Sequence, residues 1–194
     1  MPDYDPQTAL IVVDVQNDFA DPAGSLTVAG GEAVVMRASE EIARARAAGS
    51  PVFYTQDWHP PHTPHFEQDG GIWPVHCVQD MWGAEFHAAL RIEGEVVRKG
   101  ANGEDGYSGF TMRDPESGTI GPTALHGLLI EHGIGRATIV GLATDYCVKE
   151  TALDAVRLGF ETVVISDAIA AVDLNAGDGA AALEAMAAAG AQLE

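Results

Sequence analysis

Cysteine is scarce in this 194-residue chain, which has only Cys77 and Cys147. Two thiols build no disulfide framework, so the fold must rest on an ordinary core, and both are expected to be free in a reducing cytoplasm. Long hydrophobic runs are missing as well. No apolar stretch approaches the ~20 residues that span a bilayer, and the acidic opening Met1-Pro2-Asp3-Tyr4-Asp5-Pro6 lacks the basic and apolar regions of a secretion signal. Positive charge is short: 10 Lys and Arg stand against 29 Asp and Glu, a formal net charge of −19. That balance argues against nucleic acid and anionic membranes, which select basic patches, and its main consequence is solubility. Nor does a glycine-rich phosphate loop follow the first strand-like run. Gly177-Asp178-Gly179 comes closest, but it follows no strand and leads into the last helical pattern, so a dinucleotide site is disfavoured.

What is present fits a soluble globular protein. Hydrophobic content of 46% with 20% charged residues is ordinary, and the length suits one domain over 1–194 with a sizeable core. Strand-like runs near 9–15, 52–55, 95–97, 137–141 and 162–166 alternate with helical patterns at 31–48, 121–132, 145–158 and 179–189. A last short edge strand fits 191–194. The alternation predicts an α/β, three-layer fold with a doubly wound, mainly parallel sheet of about six strands. Gly49, Gly133 and Gly159 each follow a helical pattern and suit the left-handed position after a helix. Residues 57–86 show no periodicity and are rich in Pro, Gly, His and Trp; a loop that long in a compact domain is usually functional.

Cys147 stands where an apolar run gives way to a helical pattern. Backbone N–H groups and the helix dipole at such a turn favour a thiolate nucleophile, although a lone free Cys is more often a small buried hydrophobe. Asp14 ends the first strand-like run and Lys99 follows another. In a parallel sheet all three would share the carboxyl edge, where ligand chemistry collects. Together they compose a carboxylate–ammonium–thiol set: base, charge balance and nucleophile.

Within the loop, Asp57 and His59 are two apart, so an extended backbone points both side chains the same way. His65 and His76 come later, and four of the seven histidines lie within eighteen residues. One carboxylate with three imidazoles suits Zn²⁺, Mn²⁺ or Fe²⁺; a polar surface loop is the alternative.

The segments Asp14-Val15-Gln16-Asn17-Asp18-Phe19, Gln56-Asp57-Trp58-His59, Trp73-Pro74-Val75-His76-Cys77, Lys99-Gly100, Tyr107-Ser108-Gly109-Phe110 and Gly141-Leu142-Ala143-Thr144-Asp145-Tyr146-Cys147-Val148 occur in this order across most of the chain. In them the sequence resembles the nicotinamidases (pyrazinamidases) of the isochorismatase-like cysteine hydrolase superfamily. The resemblance implies deamidation of a small carboxamide, nicotinamide, to nicotinate and ammonia in NAD salvage. It implies a thioester on Cys147, with Asp14 as acid/base, Lys99 beside both, backbone N–H groups of Ala143 and Cys147 as oxyanion donors, and a cis peptide at Leu142–Ala143. It implies one divalent metal, Zn first and Mn or Fe as alternatives, on Asp57, His59, His65 and His76, and ring walls of Phe19, Trp73 and Tyr107. His62 lies between matched positions and is either solvated or a rival of His65. The loop from Lys99 to Tyr107 is slightly longer than the common pattern. A sibling hydrolase acting on another amide or on isochorismate is the alternative reading, and a homo-oligomer stays open.

Overall fold

The computed structural model describes residues 3–194; Met1 and Pro2, part of the opening read above as no secretion signal, lie outside them. The chain runs β1 (Thr8–Val13), α1 (Asn17–Ala20), α2 (Gly31–Ala47), β2 (Val52–Asp57), β3 (Glu95–Lys99), β4 (Thr111–Arg113) and β5 (Ile120–Pro122). Then come α3 (Leu125–Glu131), β6 (Arg136–Leu142), α4 (Lys149–Arg157), β7 (Glu161–Ala170), α5 (Asp178–Ala189) and β8 (Gln192–Leu193). Six strands form one sheet in the order β3-β2-β1-β6-β7-β8, and every pairing in it is parallel.

Strand periodicity assigns the two faces. Leu10, Val12, Tyr54, Val140 and Val163 pack with Val34, Val35, Ala38 and Ile42 of α2 on one side. The intervening Ala9, Ile11, Val13, Phe53 and Ile139 pack with Leu125 and Leu129 of α3, Ala152 and Ala155 of α4, and Met186 of α5 on the other. Helices therefore cover both faces, which is why β1 is buried throughout and reads as an unbroken apolar run rather than an alternating one. Burial of each large aliphatic side chain there stabilises the fold by about 1.5–3 kcal/mol.

After β3 the chain crosses to the far side of β1, so the strand order reverses between β1 and β6. The crevice beyond the carboxyl ends of such a pair is the usual ligand position in open α/β sheets. Gly141 of β6 lets the two strand ends approach. It pairs with Val13, has φ 119°, and a Cβ on it would lie 2.1 Å from the Val13 carbonyl oxygen.

Two helical expectations need correction. The helix read from 121 begins only at Leu125, because Gly121 precedes Pro122 and so leans toward extended backbone. Residues 120–122 instead pair antiparallel with 111–113 as a small hairpin. The helix read from 145 is preceded by a wide turn, Thr144–Val148, in which the Val148 N–H reaches back to the Ala143 carbonyl at 3.1 Å. The expected left-handed glycines hold: Gly49, Gly133 and Gly159 have φ 76°, 68° and 91°. No helix among the described residues is long and apolar enough to cross a membrane.

Candidate active site

The three residues expected at strand ends do meet, and Asp57, read as the start of the loop, joins them as the last residue of β2. Asp14 follows β1 with φ 47°, Asp57 closes β2, Lys99 closes β3, and Cys147 lies in the wide turn after β6. Lys99 Nζ is 2.8 Å from Asp14 Oδ2 and 2.8 Å from Asp57 Oδ1, and 3.6 Å from Cys147 Sγ. It also donates to the Tyr107 carbonyl at 3.2 Å, and Thr55 Oγ1 donates to Asp14 Oδ1 at 2.7 Å. All four of Asp14, Asp57, Lys99 and Cys147 are buried. The peptide Leu142–Ala143 is cis.

Electrostatics in this cluster follow from a shortage of cations. Burial disfavours the charged form of Lys99, but Asp14 and Asp57 outweigh it and hold the group an ammonium. Burial raises the Asp14 carboxyl to about 6 in spite of Lys99, with the Asp57 charge adding to the rise. For Asp57 burial is outweighed chiefly by Lys99, and the carboxyl stays well below its usual range. The Cys147 thiol is pushed well up, first by burial and then by Asp14 and Asp57, against the pull of Lys99. The pull of the turn toward the thiolate is opposed here: one ammonium already serves two carboxylates, and a third anion is unfavourable beside them. The resting nucleophile is a thiol adjacent to a carboxylate whose own affinity for protons is raised.

His59, His65 and His76 offer ring nitrogens within 4.8 Å of one another. Asp57 Oδ2 is 3.9 Å from His59 Nε2. His76 Nδ1 bonds the Pro74 carbonyl at 2.8 Å and His65 Nδ1 bonds Asp105 Oδ1 at 2.9 Å, which leaves Nε2 of each ring uncommitted. His59 is 3% exposed, yet neither of its ring nitrogens has a hydrogen-bond partner among the described residues. A buried imidazole with two unmet nitrogens is costly unless something else coordinates it. Burial depresses His59 to about 4 and lowers His76 as well, so both present the neutral rings that a metal requires. The donor set therefore fits a divalent metal. His62 is exposed and bonds Asp69, away from this cluster.

Between thiol and imidazoles lies a narrow apolar cavity. Phe19, Trp73 and Tyr107, the three expected ring walls, all line it, as does Ala143. Trp73 Nε1 donates to the Tyr107 hydroxyl at 3.0 Å. Leu26, Tyr146 and Val172 complete the wall and escaped the sequence reading. Tyr146 stacks edge-on against both Trp73 and Tyr107, at 4.9 and 5.2 Å between ring centres. Three supporting residues were missed too. Gln16 brackets the Asp57 backbone, donating to its carbonyl at 2.7 Å and accepting its N–H at 2.8 Å. Asp145 accepts the N–H groups of Val172 and Asp173 at 2.9 and 2.8 Å, which fixes Val172 in the wall. Asp105 holds His65. Gln16 and Asp145 lay inside motifs already singled out, but the sequence does not say which backbone they bond; Asp105 carried no signal.

Similarity to known proteins agrees with this geometry. The Isochorismatase domain matches residues 8–194. A nicotinamidase/pyrazinamidase of Mycobacterium tuberculosis is 42% identical over 92% of this chain and 93% of its own. The structure of a Pyrococcus horikoshii pyrazinamidase in complex with zinc superposes with a TM-score of 0.86 at 37% identity, covering 97% of this chain and 99% of that one. That of PnC1 from L. infantum in complex with nicotinate gives 0.88 at 36% identity over 100% and 95%. A domain match along nearly all of its length, with relatives more than a third identical throughout, places this chain in the isochorismatase family.

Proposed function

We propose that this protein is a nicotinamidase, an amidohydrolase that converts nicotinamide to nicotinate and ammonia through a thioester on Cys147, in NAD salvage. One observation carries the reading: a buried Asp14–Lys99–Cys147 cluster faces, across an apolar slot walled by Phe19, Trp73 and Tyr107, three convergent imidazoles. The relatives that carry this activity by name, and the neighbouring structures with zinc and with nicotinate, support it. We read 1–194 as one hydrolase domain with residues 57–86 as its metal-binding insertion, and its two free cysteines suit the cytoplasm.

In this mechanism Asp14 takes the Cys147 proton as sulfur attacks the carboxamide carbon. The carbonyl oxygen becomes an oxyanion held by the backbone N–H groups of Ala143 and Cys147. When the tetrahedral species collapses, the C–N bond breaks and Asp14 returns its proton to the leaving nitrogen, giving ammonia. Water then attacks the thioester carbon. Asp14 accepts the water's proton and, as the C–S bond breaks, passes it to the leaving sulfur, which releases the carboxylic acid and restores the thiol and the Asp14 carboxylate. Lys99 stays charged throughout, offsetting whichever of Asp14 and sulfur is anionic. Phe19, Trp73 and Tyr107 hold the flat ring and exclude water. Asp57, His59, His65 and His76 would hold the metal, Zn by our reading with Mn or Fe as alternatives, which when bound supplies a Lewis acid for the ring nitrogen and so orients the ring.

Ammonia release from nicotinamide by metal-replete protein, with Cys147→Ala alongside, tests the proposal. Release that disappears in the variant is expected. No release from the wild type would redirect the site to a sibling amide or to isochorismate.

A further inference from the structure

The three imidazoles of the cluster are supported in three different ways. His76 leans on a backbone carbonyl through its Nδ1. His59 has no hydrogen bond at either nitrogen among the described residues, and the Gly100 backbone lies so close that a Cβ there would sit 2.6 Å from its Nδ1. Of the three, His65 alone hydrogen-bonds a carboxylate, Asp105 Oδ1 at 2.9 Å. The carboxylate is itself held on both oxygens. Asp105 Oδ2 accepts from Arg113 at 2.8 Å, and Oδ1 also accepts the Gly106 N–H at 2.8 Å. Arg113 belongs to β4, and its backbone pairs with that of Asp105 in an isolated antiparallel bridge. Asp105 therefore has little freedom to turn away from His65.

An ionised carboxylate accepts hydrogen bonds and cannot donate them. The imidazole nitrogen facing it must carry the hydrogen, which leaves the lone pair on Nε2, the nitrogen free for the cluster. A carboxylate behind a ligating histidine also raises the basicity of the ring and fixes its orientation. We infer that Asp105 is a positioning residue of the metal site: it locks His65 in the Nδ1–H tautomer with Nε2 presented to the ion, and Arg113 extends that lock to the β4–β5 hairpin. This rests on the reading of His65 as a metal ligand. It assigns the stretch between Lys99 and Tyr107 a task beyond presenting those two residues, because Asp105 lies between them and ties the thiol end of the cavity to the imidazole end.

The test uses the full chain stripped of metal. Zn²⁺ affinity is measured by chelator competition for wild type, His65→Ala, Asp105→Ala, Asp105→Asn and Arg113→Ala. Far-UV circular dichroism checks each fold. Loss of Asp105 is expected to weaken Zn²⁺ binding by about 10–100-fold. Asp105→Asn should weaken it less, since the amide oxygen still accepts from Nδ1–H, and Arg113→Ala less again. In parallel, ¹⁵N-histidine NMR of the metal-free protein reads the tautomer directly. His65 is expected as Nδ1–H in the wild type and to lose that preference in Asp105→Ala. If Asp105→Ala does not fold, Asp105→Asn and Arg113→Ala decide by the same two readouts. Asp105 variants that bind Zn²⁺ as tightly as wild type with the His65 tautomer unchanged, while His65→Ala loses affinity, overturn the positioning role and leave the ligand assignment standing. Wild-type affinity in His65→Ala overturns both.

Discussion

Asp14 is asked to do two opposite things, to take a proton from sulfur and to give one to nitrogen, and its surroundings suit both. Burial lifts its carboxyl to about 6 while Lys99 at 2.8 Å restrains the rise. A base of that strength is mostly ionised near neutrality yet returns a proton readily. Since the ionised form is the one that accepts the thiol proton, kcat/KM should fall as pH drops through about 6. Rates that stay flat well below that pH would exclude Asp14 as the base. Asp14→Asn should cost about 10²–10⁴-fold in kcat with the fold intact. Lys99→Met should lower kcat more than it raises KM, because the ammonium stabilises anions rather than the neutral amide. Metal removal provides a separate check on sulfur. The Asp57 anion helps to hold the Cys147 thiol protonated, and a dication on Asp57 offsets that charge. Alkylation of Cys147 at fixed pH should therefore be slower in metal-stripped protein than in metal-replete protein, and equal rates would separate the two halves of the site electrostatically.

Among the elements, β1 and β6 matter most, because the reacting groups hang from their adjoining ends. Gly141 makes their approach possible: a methyl group there meets the Val13 backbone at 2.1 Å on a φ of 119°. Overpacking and left-handed strain together put the cost of Gly141→Ala at about 3 kcal/mol or more. That corresponds to a fall in Tm of about 6–12 °C for a chain of this size. The part that folds should still turn over poorly, since Asp14 and Cys147 would be pushed apart. A Tm within a degree of wild type would mean that the strand ends can yield. The strands themselves were legible, because a parallel sheet covered on both faces turns its members into apolar runs such as Ala9-Leu10-Ile11-Val12-Val13. The β4–β5 hairpin was not. Each of its strands has three residues with little burial, so neither periodicity nor hydrophobicity marks them, and Pro122 was read inside a helix rather than as the reason the helix starts later. The wide turn at Thr144–Val148 was equally hidden: it continues into a helical pattern, and hydrogen bonds that reach back five residues, from Val148 to Ala143 and from Lys149 to Thr144, distinguish it.

At the scale of the whole molecule, the site was readable where it depended on residue identity at a strand end or within a motif. It was unreadable where it depended on a fold-made contact between distant segments, as between Asp105 and His65 or Gln16 and Asp57. The charge of the molecule was readable at once, and its consequence is mechanical rather than catalytic. With 29 acidic against 10 basic side chains, most surface carboxylates have no cation to pair with, and the folded state gathers their mutual repulsion into a smaller volume than the unfolded chain does. Ion pairs such as Arg136–Glu161 and Arg113–Asp105 pull the other way. Exposed pairs contribute about 0–1 kcal/mol each, so they are a minor offset to an excess of nineteen negative charges. Salt screens both, with a Debye length that shrinks to about 8 Å at physiological ionic strength and about 3 Å at 1 M. Repulsion among many charges is lost faster than attraction within a few close pairs. Adding sodium chloride to a low-salt buffer should therefore raise Tm, by about 2–4 °C for each kcal/mol recovered. A Tm that falls instead would show that the ion pairs, not the unpaired carboxylates, dominate the surface.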